Sequence, residues 1–344
     1  MQAVRGVMPE PYTITIETYE IGDPGPGQVL LATEASGISA GTELAVYTGV
    51  HQWLKDPTRT WPKFPFTPGY SAVGRVMKVG AGVTRFKEGD RVIWPGRHES
   101  HALVNAEGDT SDIWPIAEHV PASSAALLSL ARFPLSALVQ SQRILGQAVA
   151  VLGLGMIGQI TARLYNAAGA YPIVGIDAVA GRRAWAQGTY GVRTIDPAAG
   201  DSLEQIRELL GGARPDVVVD ATGVPAALAD ALKLVSDGGQ VVLVGSPRGI
   251  MQQFDTYWDL HGRSVTVTGA HGSAIGTSPR ERFPFTRSRA LPLLVHLMES
   301  GKLRIDDLVT HVVDGRELDA MYRGLLNQRD EFLGVALQWE GLVS

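Results

Sequence analysis

The run Ala148-Val149-Ala150-Val151-Leu152-Gly153-Leu154-Gly155-Met156-Ile157-Gly158 constrains this chain more than any other segment. A short apolar strand feeds directly into G-x-G-x-x-G, and a helical pattern follows from Gln159 to Ala168. Such a turn brings backbone N–H groups to a pyrophosphate at the helix N-terminus, where the dipole favours an anion. Gly153 makes the tight turn, Gly155 removes the side chain that would block the phosphates, and Gly158 lets the helix pack close to the strand. With Leu154, Met156 and Ile157 between them, these glycines are the first candidate cofactor contacts. A second strand, Pro172 to Ile176, ends at Asp177, which lies 19 residues after Gly158. An acid there can bind both ribose hydroxyls of NAD and would repel the extra phosphate of NADP. NAD is therefore the expected cofactor. Arg182 and Arg183 are the opposing consideration, because they can offset Asp177, and Arg182 is counted among the cofactor contacts.

The rest of the chain supports a parallel, doubly wound α/β sheet in its second part. After Gln147, strand patterns at Ala148–Leu152, Ile173–Ile176, Val217–Asp220, Val241–Gly245 and Ser264–Gly269 alternate with helical ones. Ligands of such sheets lie beyond the carboxyl ends of the strands. Those ends carry Thr222, Gly223 and Val224, then Val244, Gly245 and Ser246, all candidate cofactor contacts. The first ~120 residues read instead as β-rich, with strands at Tyr12–Thr18, Val29–Thr33, Ser71–Val79 and Arg91–Trp94 punctuated by Gly and Pro. A helical pattern runs from Ser123 to Leu145, another from Leu291 to Ser300. The segment Phe332 to Trp339 reads as a strand returning to the first domain. The expected division is 1–122, then 123–271 for the cofactor domain, then 272–344 back in the first domain.

Composition removes several function classes. A net charge of −5 without a basic cluster argues against nucleic acid as a partner. The N-terminus shows no signal-peptide core, and no uninterrupted apolar stretch approaches the ~20 residues a bilayer requires, so no membrane partner and a cytoplasmic location are expected. The chain has no cysteine, which excludes disulfides and any thiolate zinc site.

Several further segments, taken in order along the chain, resemble the medium-chain dehydrogenase/reductase superfamily. Gly37-Ile38-Ser39-Ala40-Gly41-Thr42-Glu43 is similar to that family's G-I-C-G-T-D segment, and Thr67-Pro68-Gly69-Tyr70-Ser71-Ala72-Val73-Gly74 to its P-G-H-E-x-x-G. Lys87 to Val92 is similar to its G-D-R-V strand, Val151 to Gly158 to its coenzyme motif, and Asp216–Gly223 and Gly238–Gly245 to later coenzyme strands. The resemblance implies a GroES-like β domain joined to a Rossmann domain, a homodimer or homotetramer, and a place near the nicotinamide for His271, which with Ala270 joins the candidate cofactor contacts. Zinc members of the family hold a metal with the Cys of the first motif and the His of the second. Here Ala40, or Ser39 under a one-residue shift, replaces the Cys, Tyr70 replaces the His and Ser71 the Glu. Neutral hydroxyls are poor zinc ligands, so no metal is expected. His98 and His101 offer a metal pair on an irregular turn, but no third ligand is placed by sequence, and a solvated loop or substrate contacts is the commoner reading. The G-T-E version of the first motif is similar to a zinc-free branch that includes bacteriochlorophyllide dehydrogenase and sugar- or cyclitol-type oxidoreductases, among which aminoglycoside-pathway sugar dehydrogenases are a further possibility.

These resemblances imply an oxidoreductase that interconverts a secondary alcohol and a ketone on a sugar, cyclitol or related polar ring. Without zinc, a protein base or a hydroxyl relay must take the alcohol's proton. Thr42 matches the family's relay hydroxyl and Glu43 the acid that supports the metal-binding His, while Tyr70 stands in place of that His, so a Glu43–Tyr70 hydrogen bond is expected. Ser39 and His51, whose intrinsic pKa suits acid–base work, complete the catalytic candidates. Trp53, Trp61, Phe64 and Phe66 form either a sugar-binding wall or local core. Tyr257, Trp258 and His261 face a cleft, an interface or packing. Two other functions stay open: a zinc-free quinone or enone reductase using NAD(P)H, and a non-catalytic NAD-binding protein.

Overall fold

The computed structural model describes residues 1–108, 112–251, 255–276 and 285–342. The chain forms two compact units, one of Met1–Leu130, Arg287–Gly301 and Ile305–Ser344, the other of Ala131–Thr286 and Lys302–Arg304. The divisions thus fall after Leu130 and Thr286, whereas the sequence pattern placed them after residues 122 and 271.

The first unit begins with β1 (Gln2–Val7) and β2 (Thr15–Glu20), an antiparallel pair. The strand expected from Tyr12 starts only at Thr15, because the chain turns at Pro11 and Tyr12, where Tyr12 has φ 61°. Then come β3 (Gln28–Gly37), α1 (Thr42–Tyr47), β4 (Ala72–Val79), β5 (Arg91–Trp94), β6 (His101–Asn105) and β7 (Trp114–Pro115). In place of one helix over Ser123–Leu145 the chain makes α2 (Ala122–Ala125), a 3-10 turn at Leu128–Ala131 and α3 (Arg132–Gln140). Pro134 lies in the first turn of α3, the place where its missing N–H is tolerated, so the helix starts afresh there. Ser141 is extended, and Leu145 is 83% exposed. The stretch Ala122–Gln140 is long and apolar enough to cross a membrane by composition, but 67% of its most apolar window is buried inside the protein.

The second unit alternates β8 (Val149–Leu152), α4 (Met156–Ala167), β9 (Ile173–Ile176), α5 (Ala180–Tyr190), β10 (Arg193–Ile195), α6 (Ser202–Leu209), β11 (Val217–Asp220), α7 (Ala227–Leu234), β12 (Gln240–Leu243) and β13 (Thr266–Gly269). The strands are parallel in the order β10-β9-β8-β11-β12-β13. Every residue of β8, β9 and β11 is buried, as expected of strands covered by helices on both faces. The chain order reverses between β8 and β11, and the glycine turn follows β8 at that switch point.

The chain then returns to the first unit with α8 (Arg287–Glu299), β14 (Val309–Asp314), α9 (Leu318–Asn327) and β15 (Gly334–Gln338). β15 pairs in parallel with β14 and antiparallel with β3, inside a sheet ordered β14-β15-β3-β4-β5-β7, with β6 paired to β3. That places Trp339, the residue after β15, against Glu34 in β3, whose carbonyl oxygen accepts the Trp339 N–H at 3.2 Å.

Candidate active site

In the second unit, the glycine turn is built as its sequence requires. Gly153 has φ +83°, and a Cβ on Gly158 would lie 1.8 Å from the Gly153 carbonyl oxygen. Space is open at Gly155, where the nearest heavy atom to an added Cβ is Arg182 Nη1 at 3.9 Å. Gly155 is the extended N-cap of α4 and offers no side-chain cap, so the helix presents its N-terminal N–H groups unclaimed by a capping side chain. Met156 and Ile157 open the helix. Gln159 secures the turn, its amide donating to Leu154 O at 3.2 Å and Arg182 O at 2.8 Å.

Asp177 is buried at the end of β9. Its carboxylate accepts the Leu154 N–H at 2.7 Å and the Val179 N–H at 2.8 Å. Arg182 Nη1 stands 3.7 Å from it, while Arg183 is committed to Asp196 at 2.8 Å. After β11, the Asp220 carboxylate accepts from Thr222 N–H at 2.8 Å and from the Thr222 hydroxyl at 2.6 Å, and burial raises the Asp220 carboxyl above its usual range. The Thr222 hydroxyl in turn accepts from Val224 N–H. A Cβ on Gly245 would lie 2.4 Å from Gly223 N, so Thr222–Val224 and Val244–Ser246 meet backbone to backbone. Ala270 is buried, and the exposed His271 turns its ring back to accept from Ser273 N–H. A cavity of about 790 Å³ is lined by Leu152, Gly153, Asp177, Ala178 and Thr222, among others. Open space over Gly155, an uncapped helix start and a buried acid fit a dinucleotide.

The first unit holds the catalytic candidates. Ser39 follows β3, and Glu43 lies in the first turn of α1, from which Glu43 Oε1 reaches back to accept the Ser39 N–H at 2.9 Å. The Tyr70 phenol donates to Ser39 Oγ. The expected direct bond from Glu43 to Tyr70 is thus replaced by a bridge through Ser39. The carboxylate of Glu43 is taken instead by His98 Nε2 at 2.8 Å and by the Tyr322 hydroxyl on α9. Burial, then the Glu43 charge beside it, pushes the Tyr322 phenol well above its usual range.

His98 itself is fully buried, and His101 is 9% exposed, so neither stands on a solvated loop. Gly69 explains how His98 comes so close. With φ +100°, it allows the His98 backbone nitrogen within 2.5 Å of where a Cβ would stand, and His98 N–H donates to Pro68 O. Both ring nitrogens of His98 have partners, Nδ1 facing Ser36 Oγ at 2.8 Å. Ser71 donates to Ala126 O. Among the described residues, no group of three or more His, Asp or Glu side chains is arranged to hold a metal, and hydroxyls stand where zinc donors are expected. This donor set does not fit a zinc ion.

Thr42 starts α1 and is half-buried. His51 is buried, and its Nδ1 accepts from Trp53 N–H at 3.3 Å. Its ring meets those of Trp53 and Trp61 edge-on at 5.6 and 5.5 Å, and Trp61 continues to Phe66 at 6.0 Å. Phe64 packs against the core around α9. Tyr257 and Trp258 are exposed and in contact with each other, centroids 5.0 Å apart. Sequence reasoning missed Ser36, Tyr322 and Trp339 as parts of the site, and weighed His98 only as half of a metal pair, a solvated-loop residue or a substrate contact. The one signal in reach was the pairing of β15 with β3, which sets Trp339 beside Ser36.

Residues 25–122 match the alcohol dehydrogenase GroES-like domain family, and residues 156–285 the zinc-binding dehydrogenase family. The 2-desacetyl-2-hydroxyethyl bacteriochlorophyllide A dehydrogenase of Cereibacter sphaeroides is 30% identical over 71% of this chain and 74% of its own length. The L-threonine 3-dehydrogenase of Pyrococcus furiosus is 28% identical over 92% of each chain. The crystal structure of 2R,3R-butanediol dehydrogenase from Bacillus subtilis superimposes with a TM-score of 0.82 at 23% identity, covering 98% of this chain and 99% of that one, and shares the fold.

Proposed function

Because this chain belongs to the medium-chain dehydrogenase/reductase superfamily, we propose that it is a zinc-independent, NAD-dependent dehydrogenase that interconverts a secondary alcohol and a ketone on a sugar, cyclitol or related polar ring. The observation that carries this reading is the hydrogen-bonded Tyr70–Ser39 pair, in which Tyr70 stands where the resemblance puts a zinc ion's His and Ser39, under a one-residue shift, where it puts the Cys. Alcohol oxidation removes a hydride from carbon and a proton from oxygen. A bound nicotinamide accepts the hydride. The proton falls to the protein, and Ser39, Tyr70 and Thr42 are the hydroxyls that would hold the substrate oxygen and pass its proton on. Tyr70 is the member with the most acidic hydroxyl and so the one most readily deprotonated to serve as the base, and Glu43 fixes the backbone of its partner.

Asp177, anchored beside Leu154, supports NAD over NADP. Arg182, at 3.7 Å from it, is the feature that opposes this preference. The ring cluster of His51, Trp53, Trp61 and Phe66 supports a ring-shaped substrate, since flat sugar faces pack on aromatic side chains. A homodimer or homotetramer completes the proposal.

The test is absorbance at 340 nm with NAD⁺ and a panel of sugar, aminoglycoside and cyclitol alcohols, with and without a chelator. Chelator-insensitive NADH formation is expected, with NADH bound more tightly than NADPH. Loss of activity to the chelator, restored by zinc, would overturn the zinc-independent mechanism. Silence on alcohols together with NADPH-dependent reduction of enones would make the protein a reductase, and silence in both assays a non-catalytic cofactor binder.

A further inference from the structure

Behind the Ser39–Tyr70 pair lies a chain of buried hydrogen bonds that the reaction does not touch. Trp339 Nε1 donates to Ser36 Oγ at 2.8 Å, Ser36 Oγ faces His98 Nδ1 at 2.8 Å, and His98 Nε2 faces Glu43 Oε2 at 2.8 Å. Tyr322 donates to the same Glu43 oxygen, and Ser39 N–H to the other. Ser36, Glu43, His98, Tyr322 and Trp339 are all 2% exposed or less. They come from β3, α1, the loop between β5 and β6, α9 and the residue after β15, so five separate parts of one unit converge here.

The inventory of donors and acceptors assigns the protons. An indole nitrogen can only donate, so Ser36 Oγ accepts from Trp339. Among the described residues the Ser36 side chain bonds only to Trp339 and His98, so its own hydrogen is satisfied only when His98 Nδ1 accepts it, and we assign it there. The His98 proton therefore sits on Nε2 and points at Glu43. Three donors and no acceptor converge on Glu43, an arrangement that suits a carboxylate. One of these donors is the backbone N–H of Ser39, whose side chain receives the Tyr70 proton.

We propose that His98 is a positioning residue for the proton-accepting pair: by donating its Nε2–H to Glu43 it fixes the carboxylate that pins Ser39, and through Ser39 the Tyr70 hydroxyl. This rests on the dehydrogenase reading above. The His98 ring bonds to Ser36 and Glu43 and to none of the three hydroxyls, Ser39, Tyr70 and Thr42, that would meet the substrate. Its role is to hold Glu43 in one orientation, because a buried carboxylate deprived of a donor rotates to find another or admits water. Tyr322 is the second support of the same oxygen.

Two variants of the full-length protein and one spectroscopic measurement test this. A Gln at 98 can accept from Ser36 with its oxygen and donate to Glu43 with its nitrogen, whereas a Leu can do neither. His98→Gln is expected to retain most turnover. His98→Leu is expected to lose roughly 10²-fold in kcat, the scale of a misplaced reacting group, while NADH binding, measured by fluorescence titration, is unchanged. Turnover at the wild-type level in His98→Leu would overturn the proposal. So would a His98→Gln variant as inactive as His98→Leu, since that would make the imidazole itself the reacting acid or base. Independently of activity, long-range ¹H–¹⁵N spectra of ¹⁵N-histidine-labelled wild-type protein at pH 7.5, with the His98 ring identified by its loss in His98→Gln, are expected to show Nε2 protonated and Nδ1 bare. A bare Nε2 overturns the proposal even if His98→Leu does not fold. Should the wild-type protein oxidise no alcohol, the dehydrogenase reading fails and the positioning role fails with it, while the ring tautomer still decides whether the relay from Trp339 to Glu43 exists.

Discussion

At the scale of single residues, the hydroxyl of Tyr70 carries the most weight. It donates to Ser39, which a phenylalanine cannot do. Tyr70→Phe keeps the ring's packing and removes the hydroxyl that makes that bond. Turnover is expected to fall by about 10²-fold or more, the usual contribution of a positioned acid–base group, with NADH affinity unaltered. Initial rates and fluorescence titration check the two halves of this expectation, and normal turnover would remove Tyr70 from the mechanism. The identity of Tyr70, Ser39 and Glu43 as a group was visible in the sequence through two motifs. Which of them touch was not. Glu43 and Tyr70 were expected to bond directly, yet Glu43 is taken by His98 and Tyr322, residues distant in sequence from either motif.

At the scale of elements, the β8–α4 turn separates two uses of glycine that look alike in the sequence. Gly158 is a packing requirement, for its Cβ would stand 1.8 Å from a backbone oxygen that cannot move without breaking the turn. Gly155 has no such neighbour. Gly158→Ala is expected to destabilise the protein by about 1–3 kcal/mol, the cost of forcing atoms into a filled site, whereas Gly155→Ala leaves stability near wild type and weakens NADH binding. Urea denaturation with a parallel NADH titration distinguishes them, and equal stability losses in both would contradict the assignment. The helix over Ser123–Leu145 shows the opposite limit. Its apolar pattern was read as continuous, but Pro134 dictates a new helix start, and a pattern of hydrophobic spacing alone does not register the restart.

At the scale of the whole molecule, each unit has cores of its own. Val149, Val151, Val219 and Val242 centre one in the cofactor unit, while Met8, Ile38, Tyr322 and Trp339 centre another in the first. A ligand that binds only one unit stabilises that unit by mass action. NADH at about 100 times its Kd is expected to add about 2.7 kcal/mol to the opening free energy of amides in β8, β11 and β12, and to leave those in β3, β4 and β15 unchanged. Hydrogen exchange read by mass spectrometry measures this peptide by peptide. Equal protection throughout would mean that the two units open as one.

The sequence by itself determined what local spacing can encode. It specified the glycine turn and the acid after the second strand, the parallel strands from Val149 to Asp220, and the replacement of zinc donors by hydroxyls, because each depends on residues a few positions apart or on a motif read in order. The tertiary structure alone decided which side chains share a buried hydrogen bond. Trp339 reaches Ser36 only because β15 inserts between β14 and β3, and His98 reaches Glu43 only because its loop crosses Gly69. Buried polar groups must find partners wherever the fold offers them, and the nearest offer in space is seldom the nearest in sequence.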